Sequence, residues 1–125
     1  MAESAKITSA VRFPIDVCAV AFDLDGTLAD TLPDLYTSAN LMLRDLGREQ
    51  TDRETVRAYI GQGIDKLVER LLTDDAGAGL EPGRRNRAGE IFRAHYQQRL
   101  TSESRLFPGT HETLHKLREG GAKLA

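Results

Sequence analysis

The stretch DVCAVAFDLDGTLADTL, residues 16–32, decides how the rest of the chain is interpreted. It opens with small and β-branched apolar residues over 17–22, a composition typical of a strand buried on both faces. The run ends in two aspartates, Asp23 and Asp25. Carboxylates at the exit of a buried strand are costly to place for packing alone, because an ionised group loses its hydration there. The carboxyl ends of strands are also where open α/β sheets bind ligands, so we predict a functional site at this turn.

The bulk composition fits one globular domain and excludes several classes of protein. The chain has 125 residues, of which 40% are hydrophobic and 29% charged, and its formal net charge is −2. This charge gives no field that favours nucleic acid or an anionic membrane surface, so we expect neither as a partner. No apolar stretch approaches the roughly 20 residues that span a bilayer, and we find no signal-peptide core. We therefore expect a cytoplasmic protein, with its one cysteine, Cys18, buried as a small hydrophobe.

Helical patterns follow the acidic turn. After a leader over residues 1–14 and a strand over 16–22, apolar residues recur at helical spacing in four segments between residues 32 and 100. Pro33 suits the first turn of the first helix, with Asp30 or Thr31 as its cap, and Gly47 ends that helix.

The later element boundaries have local signals of their own. TDRE at 51–54 predicts a capping box at the start of the second helix. Gly61-Gln62-Gly63 separates the second helix from the third, and residues 73–87 are interpreted as a loop before the fourth. Phe107-Pro108-Gly109 predicts a turn, after which Thr110 caps a fifth helix. The last four residues, 122–125, begin a second strand.

The acidic turn has the residue types that phosphoryl transfer requires. Asp23 can act as a nucleophile toward phosphorus once the charge on the phosphate is neutralised. Asp25, two residues on, can protonate the leaving oxygen and then take a proton from the hydrolytic water. Gly26 allows a tight backbone close to a substrate, and Thr27 offers a hydroxyl that fixes the turn. Mg²⁺ prefers oxygen ligands and retains several waters, so Asp23 and a backbone carbonyl would supply part of its shell.

The pattern Asp23-Leu24-Asp25-Gly26-Thr27 after an apolar strand resembles the DxDGT motif of the haloacid-dehalogenase (HAD) superfamily. Further likeness to the bacterial phosphoglycolate phosphatase family comes from AFDLDGTLADT at 21–31, IGQGIDKLVERLL at 60–72 and LFPGTHETLHKLREGGAKLA at 106–125. The resemblance implies an α/β fold with a HAD-like Rossmannoid core, represented here by residues 1–31 and 101–125. That part would hold the first strand, one helix and the start of the second strand. A helical cap would occupy residues 32–100, so we expect the chain to be mostly helical.

The resemblance also implies roles for individual residues. Asp23 would be the nucleophile and a Mg²⁺ ligand, while Asp25 would be the acid/base and bind Mg²⁺ through its backbone carbonyl. Leu24, Gly26 and Thr27 would contact the substrate from the acidic turn. Gly61, Gln62 and Gly63 would contact it from a loop of the cap. The implied reaction is Mg²⁺-dependent hydrolysis of a small phosphorylated metabolite, 2-phosphoglycolate, through an aspartyl-phosphate intermediate.

Several residues that the family uses are not found in this chain. The family needs a Ser or Thr on the second strand, a later Lys and a later acidic pair. We therefore expect this chain by itself to be inactive or nearly so. The family's first strand is central in its sheet, so here we expect it to have an unpaired edge, through which the chain can self-associate.

Three alternative functions remain open from the sequence. A sugar phosphomutase shares the first motif, and a non-catalytic interaction module would be expected if nothing completes the sheet. The third is a zinc metallopeptidase, because His111-Glu112-Thr113-Leu114-His115 matches HExxH. Against it, the only downstream candidate for a third ligand is Glu119, one turn on. A histidine pair on the surface or half-buried is the favoured interpretation.

Overall fold

The computed structural model describes residues 16–73 and 81–125. Its elements, in chain order, are β1 (Ala19–Val20), β2 (Ala29–Asp30), α1 (Leu32–Asp45), α2 (Arg53–Tyr59), α3 (Ile64–Thr73), α4 (Pro82–Arg99), β3 (Arg105–Leu106), α5 (Thr110–Glu119) and β4 (Lys123–Leu124). The predicted leader at 1–14 and residues 74–80 of the predicted loop at 73–87 lie outside the described residues. The end of that loop was predicted wrongly, because α4 already begins at Pro82, a residue suited to a first helical turn.

The first strand is shorter and more exposed than predicted. β1 pairs in parallel with β4. Backbone hydrogen bonds extend this pairing at both ends: the Cys18 carbonyl accepts from Lys123 N at 2.9 Å, and Phe22 N donates to the Ala125 carbonyl at 2.9 Å. Val17 is 51% exposed and Cys18 is exposed, so the prediction of burial was wrong. The reason is that β4 is the only strand beside β1 in the described chain. The predicted unpaired edge of β1 is present among these residues.

The four helices α1 to α4 form the hydrophobic core. α1 packs against α2 and α4, and α3 also packs against α2 and α4, so that each helix contacts two others. Phe92, Met42, Val56 and Val68 are the largest apolar side chains with no exposed surface. Every member of the buried cluster lies between residues 32 and 92. The apolar spacing that predicted these helices therefore reflects their mutual packing.

Two helix starts differ from the predicted caps, and a third agrees with its prediction. The cap of α2 is Asp52 rather than Thr51, and its Oδ1 accepts from Thr55 N at 2.8 Å. The α5 cap is Gly109, in the left-handed region at φ 82°, rather than Thr110. Thr31 does cap α1, but its side chain makes no capping hydrogen bond.

A buried carboxylate joins the start of α1, which follows β2, to the segment between α4 and β3. Asp34, in the first turn of α1, has no exposed surface. Its Oδ2 accepts from Ser104 N at 2.8 Å and from Ser104 Oγ at 2.6 Å, and its Oδ1 accepts from Glu103 N at 3.1 Å. Burial alone would raise the pKa of Asp34, but these hydrogen bonds and the charge of Arg99 outweigh it and hold that pKa below its usual value. The start of α1 and the segment before β3 are therefore fixed side by side.

Within residues 16–73 and 81–125, no helix combines the length and the apolar character needed to cross a bilayer.

Candidate active site

The acidic turn lies at the carboxyl end of the parallel pair, where the sequence places it. Asp23 directly follows Phe22, the last residue of this segment that is bonded to the β4 side. The turn then closes on the carbonyl of Leu24. This oxygen accepts hydrogen bonds from Thr27 N at 3.3 Å, Leu28 N at 3.1 Å and Ala29 N at 3.0 Å. Gly26 adopts φ 77°, a left-handed conformation that favours glycine over residues with a side chain.

The far side of the turn is held against residues 105–110. β2 pairs in antiparallel register with β3, with Ala29 opposite Leu106. The carbonyl of Leu28 accepts from Phe107 N at 3.0 Å and from Thr110 Oγ1 at 3.0 Å. The Thr110 hydroxyl that was predicted to cap α5 therefore fixes the acidic turn instead.

Thr31 orients one of the two aspartates. Its Oγ1 donates to Asp25 Oδ1 at 2.6 Å, and Thr31 itself is only 7% exposed. A buried donor at this distance fixes one carboxylate oxygen and leaves the second available to a ligand. The sequence indicated Thr31 only as a helix cap, so this role was missed.

One cavity of about 280 Å³ brings both aspartates together with the predicted cap loop. Its walls include Asp23, Asp25, Gly61, Gly63 and, from α4, Tyr96. The pKa of the Tyr96 phenol is raised, mainly by burial and to a smaller extent by the negative charges of Asp25 and Asp34. Sequence reasoning treated Tyr96 only as an apolar position of its helix, so its place beside the acidic turn was missed.

A second cavity of about 430 Å³ is also lined by Asp25. Gly26, Asp30 and Thr31 line it from the turn, Arg57 and Gly61 line it from α2 and the loop that follows, and Phe107 lies at its wall. Arg57 was also missed, because a lone basic residue in a short helix forms no pattern.

Three of the predicted contact residues are placed differently. Leu24, Thr27 and Gln62 line neither of these two cavities. The Leu24 side chain is 54% exposed, and the amide oxygen of Gln62 accepts from Arg70 Nη2 at 2.9 Å. Any contact of Leu24 or Thr27 with a substrate would therefore have to use the main chain. The Gln62 side chain is instead bonded to Arg70 of α3.

The chemistry of the donors at the turn suits Mg²⁺. Asp23 and Asp25 are exposed carboxylates, and Mg²⁺ is commonly bound by one or two carboxylates together with waters. In the part of the chain that the structure describes, no group of three or more His, Cys, Asp or Glu side chains is placed to hold a metal ion. A Mg²⁺ site formed by the Asp23 carboxylate and the backbone carbonyl of Asp25 stays a prediction.

The side chains of the HExxH motif on α5 make ordinary surface contacts within the helix. Glu112 Oε1 lies 2.7 Å from Lys116 Nζ, and His115 Nε2 lies 3.4 Å from Glu119 Oε1. His111 and His115 are both exposed and share a wide surface cavity with Arg118. The guanidinium would repel a metal cation, and the carboxylate that a peptidase would use as a base already has a cationic partner.

Comparisons with known proteins agree with the motif at the turn. The sequence matches the family model described as haloacid dehalogenase-like hydrolase over residues 20–125. A phosphoglycolate phosphatase of Nitrosospira multiformis is 44% identical over 115 residues, which cover 92% of this chain and 51% of that protein. A phosphoglycolate phosphatase of Thiobacillus denitrificans is 39% identical over 113 residues, covering 90% of this chain and 50% of that protein.

The structural comparison gives the same result. A crystal structure described as a predicted phosphoglycolate phosphatase from Haemophilus somnus 129PT aligns with a TM-score of 0.78 and 34% identity, over 86% of this chain and 49% of that one. The chain thus spans about half the length of the curated relatives it matches. The predicted fold class, a partial HAD-like α/β core with a large helical part, is confirmed. With the family model matching residues 20–125, the chain belongs to the haloacid dehalogenase-like hydrolases.

Proposed function

We propose that this chain carries the nucleophile and the acid/base of a Mg²⁺-dependent phosphatase that acts on small phosphomonoesters, with 2-phosphoglycolate as its substrate. The observation that carries the proposal is the cavity that Asp23 and Asp25 share with Gly61 and Gly63. The relatives described as phosphoglycolate phosphatases support the choice of substrate. A metabolite of this size fits a cavity of about 280 Å³.

In the proposed reaction the two aspartates divide the work. The Asp23 carboxylate attacks phosphorus and forms an acyl phosphate, while the bond from phosphorus to the ester oxygen breaks and Asp25 gives its proton to that oxygen. Asp25 then takes a proton from water, whose oxygen attacks the same phosphorus. Inorganic phosphate leaves and the Asp23 carboxylate is restored. Mg²⁺, when bound, would neutralise charge on the phosphate.

The surrounding residues would prepare these steps. The hydrogen bond from Thr31 leaves one oxygen of Asp25 to face the ester oxygen. We assign substrate contact to Leu24, Gly26 and Thr27 through the main chain of the turn, and to the loop at 61–63 above it.

The proposal includes a division of the chain into core and cap. α1 to α4 would cover the acidic turn as a cap over residues 32–100, because the buried apolar cluster lies entirely among them. Residues 1–31 and 101–125 would belong to the core. We further propose a cytoplasmic location, little or no activity of these 125 residues by themselves, and self-association through the free edge of β1.

Phosphate release from 2-phosphoglycolate with Mg²⁺ tests the proposal. The natural polypeptide that carries these residues should release phosphate, and Asp23→Asn should abolish release. Asp16→Asn, the same change at an exposed position before β1, is the matched control and should retain activity. Unchanged activity of Asp23→Asn would contradict the proposal, as would zinc-dependent peptidase activity that Glu112→Gln removes.

A further inference from the structure

Two neighbouring cavities share the residue that we assign as the acid/base. Asp25, Ile60 and Gly61 line both of them. Asp23 lines only the smaller cavity, and Arg57 lines only the larger. Asp25 therefore borders both the cavity that contains the nucleophile and the cavity that contains a cationic side chain.

Arg57 has the properties of a side chain that is free to bind an anion. It lies in the last turn of α2 and is exposed. Its side chain forms no ion pair or hydrogen bond with another described residue, although the carboxylates of Asp25 and Asp30 line the same cavity. Of the described residues, it is the only basic one that lines either cavity. Its planar guanidinium can bind a carboxylate through two parallel hydrogen bonds.

We propose that Arg57 determines substrate specificity by binding a carboxylate on the leaving group. The inference deepens the proposed function and rests on it. Asp25 must reach the ester oxygen between phosphorus and the leaving group. With phosphorus beside Asp23 in the smaller cavity, the leaving group extends past Asp25 into the larger one, toward Arg57. The chemical class selected is a phosphomonoester with a carboxylate close to the ester oxygen.

A purely structural role of Arg57 makes a different prediction. A basic residue in the last turn of a helix interacts favourably with the helix dipole, and that interaction is the same whatever substrate is present. Loss of such a role would lower activity toward all substrates equally. Arg53, at the start of the same helix, is also exposed and basic but lines neither cavity, so it provides a matched control.

The experiment compares two substrates that differ in charge at the far end. In the natural polypeptide with Mg²⁺, kcat/KM is measured for 2-phosphoglycolate and for 2-hydroxyethyl phosphate, which has a neutral hydroxymethyl group in place of the carboxylate. Arg57→Gln should lower kcat/KM for 2-phosphoglycolate by about 10- to 100-fold, the typical effect of a lost charge-assisted hydrogen bond. Its effect on the neutral substrate should be below about threefold. Arg53→Gln should change neither value, and Arg57→Lys should restore part of the loss.

Equal losses for the two substrates, or no loss for 2-phosphoglycolate, would overturn the role of Arg57. A wild-type protein that hydrolyses neither substrate would instead overturn the proposed function, and a binding measurement then decides the inference. The NMR signal of the Arg57 Nε–H group should shift on titration of the natural polypeptide with 2-phosphoglycolate or glycolate, and not with 2-hydroxyethyl phosphate. No shift with either carboxylate would overturn the inference.

Discussion

Removing the buried carboxylate of Asp34 should destabilise the fold more than removing any exposed acid. In Asp34→Ala the two amide donors of Glu103 and Ser104 and the Ser104 hydroxyl lose their acceptor. A hydrogen bond to a charged group contributes about 1.5–3 kcal/mol. Three such bonds would sum to about 5–9 kcal/mol, but water can reach the partly exposed Ser104 and replace part of the loss. We therefore expect the free energy of unfolding to fall by about 3 kcal/mol.

Urea denaturation followed by far-UV circular dichroism measures this loss. For a domain of this size a decrease of about 3 kcal/mol lowers the midpoint by roughly 1–2 M urea. Glu54→Ala is the matched control, since Glu54 is also an acid in a first helical turn but is exposed. It removes the same interaction with the helix dipole, about 0.3–1 kcal/mol, without stranding the donors. Equal losses in the two variants would refute the assignment of Asp34 as the acceptor that joins the start of α1 to the segment between α4 and β3.

The pH dependence of stability gives an independent check on Asp34. Its folded pKa lies below the unfolded value, so its contribution is complete above the unfolded pKa and is lost as the pH falls through the folded pKa. Wild-type stability should therefore decrease below about pH 4, and Asp34→Ala should show a smaller decrease. Some dependence should remain, because hydrogen bonds from His95 and Arg44 lower the pKa of Asp45, and those from Thr55 lower the pKa of Asp52.

Three further changes test packing, turn geometry and side-chain orientation. Phe92→Ala should lower the free energy of unfolding by about 3–5 kcal/mol, because removal of a ring with no exposed surface leaves a cavity among the helices. Urea denaturation measures this loss, and a loss under about 1 kcal/mol would contradict the packing. Gly26→Ala should cost about 1–2 kcal/mol through its left-handed φ alone, since an added Cβ meets nothing within 4 Å; a neutral result in the same assay would contradict that backbone conformation. Thr31→Val should lower kcat for 2-phosphoglycolate by about 3- to 10-fold with little change in KM, because Asp25 loses an orienting hydrogen bond; an unchanged kcat would remove that role from Thr31.

Helices α1 to α4 could be predicted from the sequence because each contributes apolar residues at helical spacing to one core, and α5 could be predicted from the turn that precedes it. The acidic turn could also be placed at a strand end, because an apolar run followed abruptly by Asp23 and Asp25 has few other structural explanations. The assignment of the family followed from the same residues. These features depend on local pattern, which a sequence displays directly.

The features that were missed or wrong depend on tertiary contacts. The β2–β3 pair has only two residues in each strand, too few to show an alternating pattern. Thr31 and Thr110 are both residues of a type that commonly caps helices. Only the fold reveals that the Thr31 hydroxyl donates to Asp25 and the Thr110 hydroxyl donates to the Leu28 carbonyl. The predicted burial of β1 was wrong. An apolar strand is suited to a position inside a sheet, but its exposure depends on which strands lie beside it, and β4 is the only one among the described residues.

The most direct test of the central claim is chemical capture of the phosphorylated residue. The natural polypeptide is mixed with 2-phosphoglycolate and Mg²⁺, quenched during turnover, and reduced with borohydride, which converts an aspartyl phosphate to homoserine. Peptide mass spectrometry should then find homoserine at position 23 in the wild type and none in Asp23→Asn. Homoserine at another position, or turnover with no modified residue, would contradict the assignment of Asp23 as the nucleophile.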